Sequence, residues 1–271
     1  MIASPWFAAL FALFAWWFST GAILWVVKTA DERGRDGHIW SVLYGLPVLG
    51  LGVAGFVGTL ESTDVAAAYI AFLAALAIWG WIELAFLSGV ITGPNTYHCP
   101  IGVSQWERFL RSWGTIAYHE LLLLGVLALL LMLSIGAENT VGFWTFAVLF
   151  FARISAKLNL FFGVPKINTE FLPEPLAHLP SHFRYAKLNP VFPFSITALS
   201  FAVACWLERL YTAASPIDAV MFALLATLTA LALLEHWLMV LRLPDEKLWR
   251  WMIPAPKTQD KNRLREDANG L

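Results

Sequence analysis

The sequence predicts an all-α protein, a polytopic transmembrane helical bundle of about seven spans, with the N-terminus periplasmic and the C-terminus cytoplasmic. Three observations predict it. Only 14% of the 271 residues are charged and 59% are hydrophobic, with a mean hydropathy of +0.65. Uncharged apolar runs of roughly 20 residues, enough to cross a bilayer core as a helix, recur along the chain. Lys and Arg gather in alternate loops, the bias that orients membrane proteins. The same composition excludes a disordered chain and an ordinary cytosolic enzyme, which would carry about 25% charged residues. A net charge of −1 offers no basic patch for nucleic acid. Cys99 and Cys205 supply no disulfide framework, and Cys205 reads as a small core residue.

The spans read as 4–27, 39–60, 65–91, 114–136, 141–163, 191–212 and 217–242. No Lys or Arg precedes Lys28, so the first run reads as a retained span and not a cleaved signal. Gly50, Gly52, Gly55 and Gly58 permit close helix approach along the second. A polar turn, 61–64, leads into the third, and Thr92-Gly93-Pro94-Asn95 stops it. Ser104 and Glu107 form a capping box that opens an interfacial helix, 104–113. Trp106, Phe109, Leu110 and Trp113 share one face of it, suited to the membrane surface. Ser215-Pro216-Ile217-Asp218 is an N-cap with Pro at N1 and an acid at N3, and Pro244 ends the last span. One domain, 1–243, is followed by a tail, 244–271, with interfacial Leu248, Trp249, Trp251 and Met252 and a polar, disordered end.

Orientation follows from the loops. Lys28, Arg33 and Arg35 lie after span one, Arg108 and Arg111 after span three, and Lys166, Arg184 and Lys187 after span five. The tail adds seven more, whereas the opposite side has only Arg209. The basic side is cytoplasmic.

Ionisable groups inside spans are costly and are functional candidates by default. Glu83, His119, Glu120, Arg153, Lys157, Asn159, Glu235 and His236 all sit roughly 7–15 Å inside the cytoplasmic boundary at 1.5 Å rise per residue. Imidazole with carboxylate suits iron, zinc or manganese, so Glu83, His119, Glu120, Glu235 and His236 are candidate metal ligands. The spacing departs from the di-iron pattern, because no Glu-x-x-His pair occurs in these spans. An intramembrane ion-pair network is the second reading, with the three acids meeting Arg153 and Lys157 at i,i+4. Pigment binding is the third, since neutral imidazole also ligates the magnesium of a chlorin. Trp79, Trp81 and Phe86 flank Glu83 and either line a flat pocket or pack between helices.

Segment 164–190 is too long for an ordinary connection, and loops of this length are usually functional. Pro165, Pro173, Pro175, Pro180 and Pro190 would hold it extended, as a lid over the cytoplasmic mouth of the bundle. It carries Asn168, Glu170, Glu174, His178, His182 and Arg184; Pro180 argues against a regular helix presenting both histidines.

The block from Lys157 to Pro173, with Leu176-Ala-His-Leu-Pro-Ser-His-Phe-Arg184, resembles the photosynthetic complex assembly proteins called PuhE of purple and related phototrophic bacteria. The resemblance runs over nearly the whole chain. It implies a protein of the bacterial inner membrane, in the intracytoplasmic photosynthetic membrane, that supports reaction-centre assembly and modulates bacteriochlorophyll synthesis. It carries no catalytic residues to transfer. It is strongest at Asn159, Asn168, Glu170, His178, His182 and Arg184, which makes Asn168, Glu170, His178, His182 and Arg184 the candidate cofactor-binding residues. Implied partners are membrane lipid and reaction-centre or bacteriochlorophyll-synthesis proteins. The implied cofactor is bacteriochlorophyll or a precursor. The alternative is a membrane-embedded, metal-dependent oxidoreductase of di-iron type, holding iron or zinc and acting on a tetrapyrrole or another hydrophobic substrate. Whether the chain is an enzyme stays open. A solute carrier is disfavoured, because the polar groups lie to one side of the midplane and no inverted repeat is evident.

Overall fold

A computed structural model describes residues 1–169 and 172–241. Among them the structure is helical: α1 (Pro5–Thr59), α2 (Val65–Leu87), α3 (Gln105–Ser134), α4 (Val141–Phe162), α5 (Val191–Tyr211) and α6 (Pro216–Leu238). All six are long and apolar enough to cross a membrane. The tail and its interfacial residues lie outside the described residues.

α1 joins the first two expected spans. The polar stretch expected as a loop between 27 and 39 is helical up to one residue, Gly34 (φ 69°, ψ −160°), where the helix breaks. That conformation is essentially closed to side chains with a Cβ, so the turn needs glycine. The chain reverses there. Phe11 meets Phe72 and Ile23 lies beside Gly80, so the first arm runs parallel to α2. Gly45 lies beside Trp81 and Gly52 beside Ala74 and Ile78, so the second arm runs antiparallel to it. A Cβ on Gly52 would stand 3.0 Å from Ala74 O, so this glycine permits the close approach, while Gly50 and Gly58 face open space.

α2 is the most buried of the helices and sits at the centre. Ala68, Phe72 and Leu76 pack with Ala8, Ala12 and Leu224 at one end, and Ala75, Ile78 and Ile82 pack with Phe56, Leu123 and Phe146 farther along. α5 lies at the edge, mainly against α6, and Cys205 is exposed on it. The cysteine was expected in the core, but a helix packed along one narrow stripe leaves most of its positions facing outward.

Caps follow the sequence. Ser104 Oγ accepts from Glu107 N at 3.2 Å and Ser215 Oγ from Asp218 N at 3.2 Å. The Glu107 carboxylate turns to Arg111, 2.7 Å away, and not back to the cap. The interfacial segment and span four are one continuous helix, because nothing between 105 and 134 breaks the backbone pattern. Trp106, Phe109, Leu110 and Trp113 are all exposed on it.

The C-terminal ends of α2, α4 and α6, the start of α3 and the Gly34 turn share one end of the bundle, called here the loop end. Segments 88–104 and 163–190 cover it. The second contains short 3-10 turns at Glu174–Leu176 and Leu179–His182, each opened by a proline near its start. Proline suits those positions because its missing N–H has no partner to lose there.

Candidate functional site

α4 organises the polar groups within the helices. Arg153 Nη2 donates to Glu83 Oε2 at 2.8 Å, tying α4 to α2. His119 Nε2 on α3 stands 3.6 Å from the other carboxylate oxygen, Glu83 Oε1. One turn along α4, Lys157 Nζ pairs with Glu120 of α3. Its ammonium also lies 5.2 Å above the Phe86 ring, which packs against His119 with centroids 4.4 Å apart. The i,i+4 spacing of Arg153 and Lys157 therefore serves two carboxylates on two neighbouring helices.

On another side of α4, Ser155 Oγ is 2.8 Å from His236 Nε2 of α6. Asn159 Nδ2 donates to Ser155 O and to Ser195 Oγ of α5, each at 2.9 Å. Asn189 Nδ2 donates to Asn159 Oδ1 at 3.1 Å and to Gly163 O at 2.7 Å, while its Oδ1 accepts from Val191 N and Phe192 N. Asn189 thus closes the neck of segment 163–190 and caps α5 at once.

The candidate metal ligands divide among these contacts. Glu83 and His119 come together, Glu120 goes to Lys157, and His236 goes to Ser155. Glu235 is exposed, with the Trp16 side chain as its hydrogen-bond partner and the Arg153 charge acting on it from α4. Among the described residues no three His, Cys, Asp or Glu side chains converge in a way that could hold a metal ion. The adjacent pairs His119-Glu120 and Glu235-His236 explain this, because neighbours splay about 100° around a helix. Trp81 donates to Val42 O at 3.1 Å and Trp79 sits edge-on to Phe146, so these aromatics pack between helices.

The second layer is segment 163–190. Leu176 and Leu179 are buried against Phe86, so this segment rests on the ring that also touches His119 and Lys157. His182 Nδ1 lies 3.3 Å from Ser112 Oγ and its Nε2 lies 3.2 Å from Tyr97 O. The His182 carbonyl accepts from Arg108 Nη2 at 3.0 Å. Ser181 Oγ accepts from Cys99 N, and Asp31 Oδ1 accepts from Glu174 N while contacting His38 Nε2 at 3.0 Å. Burial pushes His182 below the usual imidazole range, and Arg108, His98 and Arg111 push the same way. Burial lowers His178 too, with His182 and His98 adding to it. His178 Nε2 is buried without a hydrogen-bond partner among the described residues.

Arg184 is exposed and fixed by its backbone, donating to Leu160 O and accepting from Val164 N, both at 3.1 Å. Asn168 is half-buried, and Glu170 lies outside the described residues. Sequence reasoning missed Ser155, Ser112, Tyr97 and Asn189. Only Asn189 left a signal, an Asn-Pro step before an apolar run. The other three act through contacts between distant segments.

A family model described as "Protein of unknown function (DUF3623)" matches residues 2–260. The chain belongs to this family. A relative from Rhodobacter capsulatus, named "Uncharacterized 30.4 kDa protein in puhA 5'region", is 56% identical over 252 residues. That match covers 93% of this chain and 92% of the relative. No solved structure matches the chain.

Proposed function

We propose that this protein is a photosynthetic complex assembly factor that modulates bacteriochlorophyll synthesis or delivery in the inner membrane. The observation that carries this reading is the relative whose name places it beside puhA, in agreement with the resemblance to PuhE. In this reading the two arms of α1 and helices α2–α6 cross the membrane seven times. The loop end, rich in Lys and Arg, is cytoplasmic, and the N-terminus is periplasmic. The membrane is the intracytoplasmic photosynthetic one.

Segment 164–190 is then a cytoplasmic lid, offered to reaction-centre or pigment-synthesis proteins. His178, His182, Arg184 and Asn168 are its pigment-binding positions. His178 supports this best, because an imidazole nitrogen buried without a partner among the described residues is unusual and has a lone pair or proton to offer. The ion pairs below hold the helices that carry the lid.

A second reading, a metal-dependent oxidoreductase, keeps one observation in its favour. Both ring nitrogens of His119, along with Glu83 Oε1, are buried without a hydrogen-bond partner among the described residues. One preparation separates the two. The tagged protein is purified from a pigmented host, and bound metal, absorbance and co-purifying proteins are measured together. The assembly reading predicts chlorin absorbance or pigment-complex proteins with only trace metal. Near-stoichiometric iron or zinc without pigment or partners would overturn it in favour of the oxidoreductase.

A further inference from the structure

Serine and threonine hydroxyls inside helices commonly return their proton to the carbonyl one turn earlier. This chain follows that habit at Thr145, Thr227 and Thr229, whose hydroxyls donate to carbonyls four residues back. Ser155 departs from it and faces His236 Nε2 at 2.8 Å, on a different helix. The direction of this hydrogen bond is fixed by the far side of the ring. His236 Nδ1 lies 2.8 Å from the carbonyl oxygen of Ala232, which only accepts, so Nδ1 carries the proton of the neutral imidazole. Nε2 then presents its lone pair, and Ser155 Oγ–H is the donor.

A hydroxyl donating to an imidazole that a third group orients through its other nitrogen is the arrangement of an activated nucleophile. Exposure is divided as that role needs. His236 is 1% exposed, held away from solvent, whereas Ser155 is only half-buried. Ser155 lies one turn from Phe151 and Leu158, both exposed, so this stretch of α4 borders apolar surroundings, while the buried Asn159 lies one turn along toward α5. It lies about two turns, roughly 10 Å, inside the loop end of the helix.

We propose that Ser155 and His236 form a nucleophile–base pair that cleaves carboxylic esters of apolar, membrane-dissolved molecules. Ser155 Oγ bonds to the ester carbonyl carbon as its proton passes to His236 Nε2. The carbon–oxygen bond to the alcohol then breaks, and the departing alcohol takes that proton from Nε2. Water adds to the acyl-serine by the same route, giving the carboxylic acid and restoring the serine. The sum is ester plus water to acid plus alcohol. The proposal is independent of the assembly reading.

The test uses the full-length protein in native membranes and an alkyl fluorophosphonate probe. Phosphonylation displaces fluoride and marks an activated serine. Peptide mapping is expected to place the label on Ser155, and H236Q is expected to slow labelling at least about a hundredfold, the usual contribution of a positioned base. An unlabelled Ser155 in the wild-type protein, under conditions that label an added serine hydrolase, would overturn the proposal. So would labelling of a folded H236Q at the wild-type rate; either result leaves the contact as an interhelical hydrogen bond. Should H236Q fail to fold, wild-type mapping alone decides.

Discussion

Arg153 Nη2 lies 2.8 Å from Glu83 Oε2, and this contact binds α4 to the central helix α2. The Glu83 side chain is only 10% exposed, so its charge depends on that guanidinium. Removing one partner of a buried ion pair leaves an uncompensated charge, whereas replacing both by apolar groups often costs little. R153A is expected to destabilise the bundle by about 3 kcal/mol. The double variant E83L/R153M is expected to recover most of that. Thermal unfolding in detergent checks both, and a double variant no more stable than R153A would contradict the account.

Gly93 lies against the backbone of α3. A Cβ there would stand 2.1 Å from Gly114 O and 2.8 Å from Ile116 N, atoms that cannot rotate away. The contact is reinforced by Asn95 N donating to Gly114 O and His119 N donating to Thr92 O, each at 2.9 Å. G93A is expected to cost about 3 kcal/mol or more. G50A meets nothing within 4 Å in an exposed helix interior and should stabilise by about 0.5–1 kcal/mol. Comparing the two unfolding midpoints tests whether close backbone approach, rather than glycine content, sets this part of the fold.

Asn189 is expected to be the most sensitive uncharged polar residue. N189A removes two donated and two accepted hydrogen bonds at the neck of segment 163–190. The expected loss is about 2–4 kcal/mol, since each bond contributes roughly 1 kcal/mol. Limited proteolysis should cut between 164 and 190 faster in the variant, leaving the helices intact.

Segment 163–190 should loosen in mild acid. His178 and His182 both titrate below the ordinary imidazole value of 6.5, mainly through burial. The unfolded or released segment binds protons first as pH falls through that value, so the packed form loses stability below it and keeps it above. Hydrogen exchange of these amides should be slower at pH 7.5 than at pH 5.5, beyond the intrinsic rate difference. H182Q should flatten part of that dependence. Equal protection at both values would contradict it.

Much of this was legible in the sequence. The apolar runs marked the helices, and Ser104, Asp218 and Ser215 marked two starts, because caps are local chemistry. The ion-pair reading anticipated Arg153 and Lys157 meeting Glu83 and Glu120, since four ionisable positions at one depth have few other ways to be satisfied. For Glu235 it holds only in part: Arg153 acts on it electrostatically, but its hydrogen-bond partner is Trp16, because adjacency to His236 fixes only one of the two toward the interior. The Gly34 break was not foreseen, as a single left-handed glycine inside a polar stretch looks like any loop glycine. Asn189, Ser112 and Tyr97 were illegible for a different reason: each is defined by a partner many residues away.

The central claim, a role in assembling pigmented membrane complexes, is tested most directly in the phototrophic host. The gene is deleted, and near-infrared absorbance of isolated membranes is measured with and without the restored wild-type gene. The account predicts a marked loss of reaction-centre and bacteriochlorophyll absorbance, recovered on restoration, with respiratory growth unchanged. Membranes of the deletion strain with the same absorbance as wild type would contradict it.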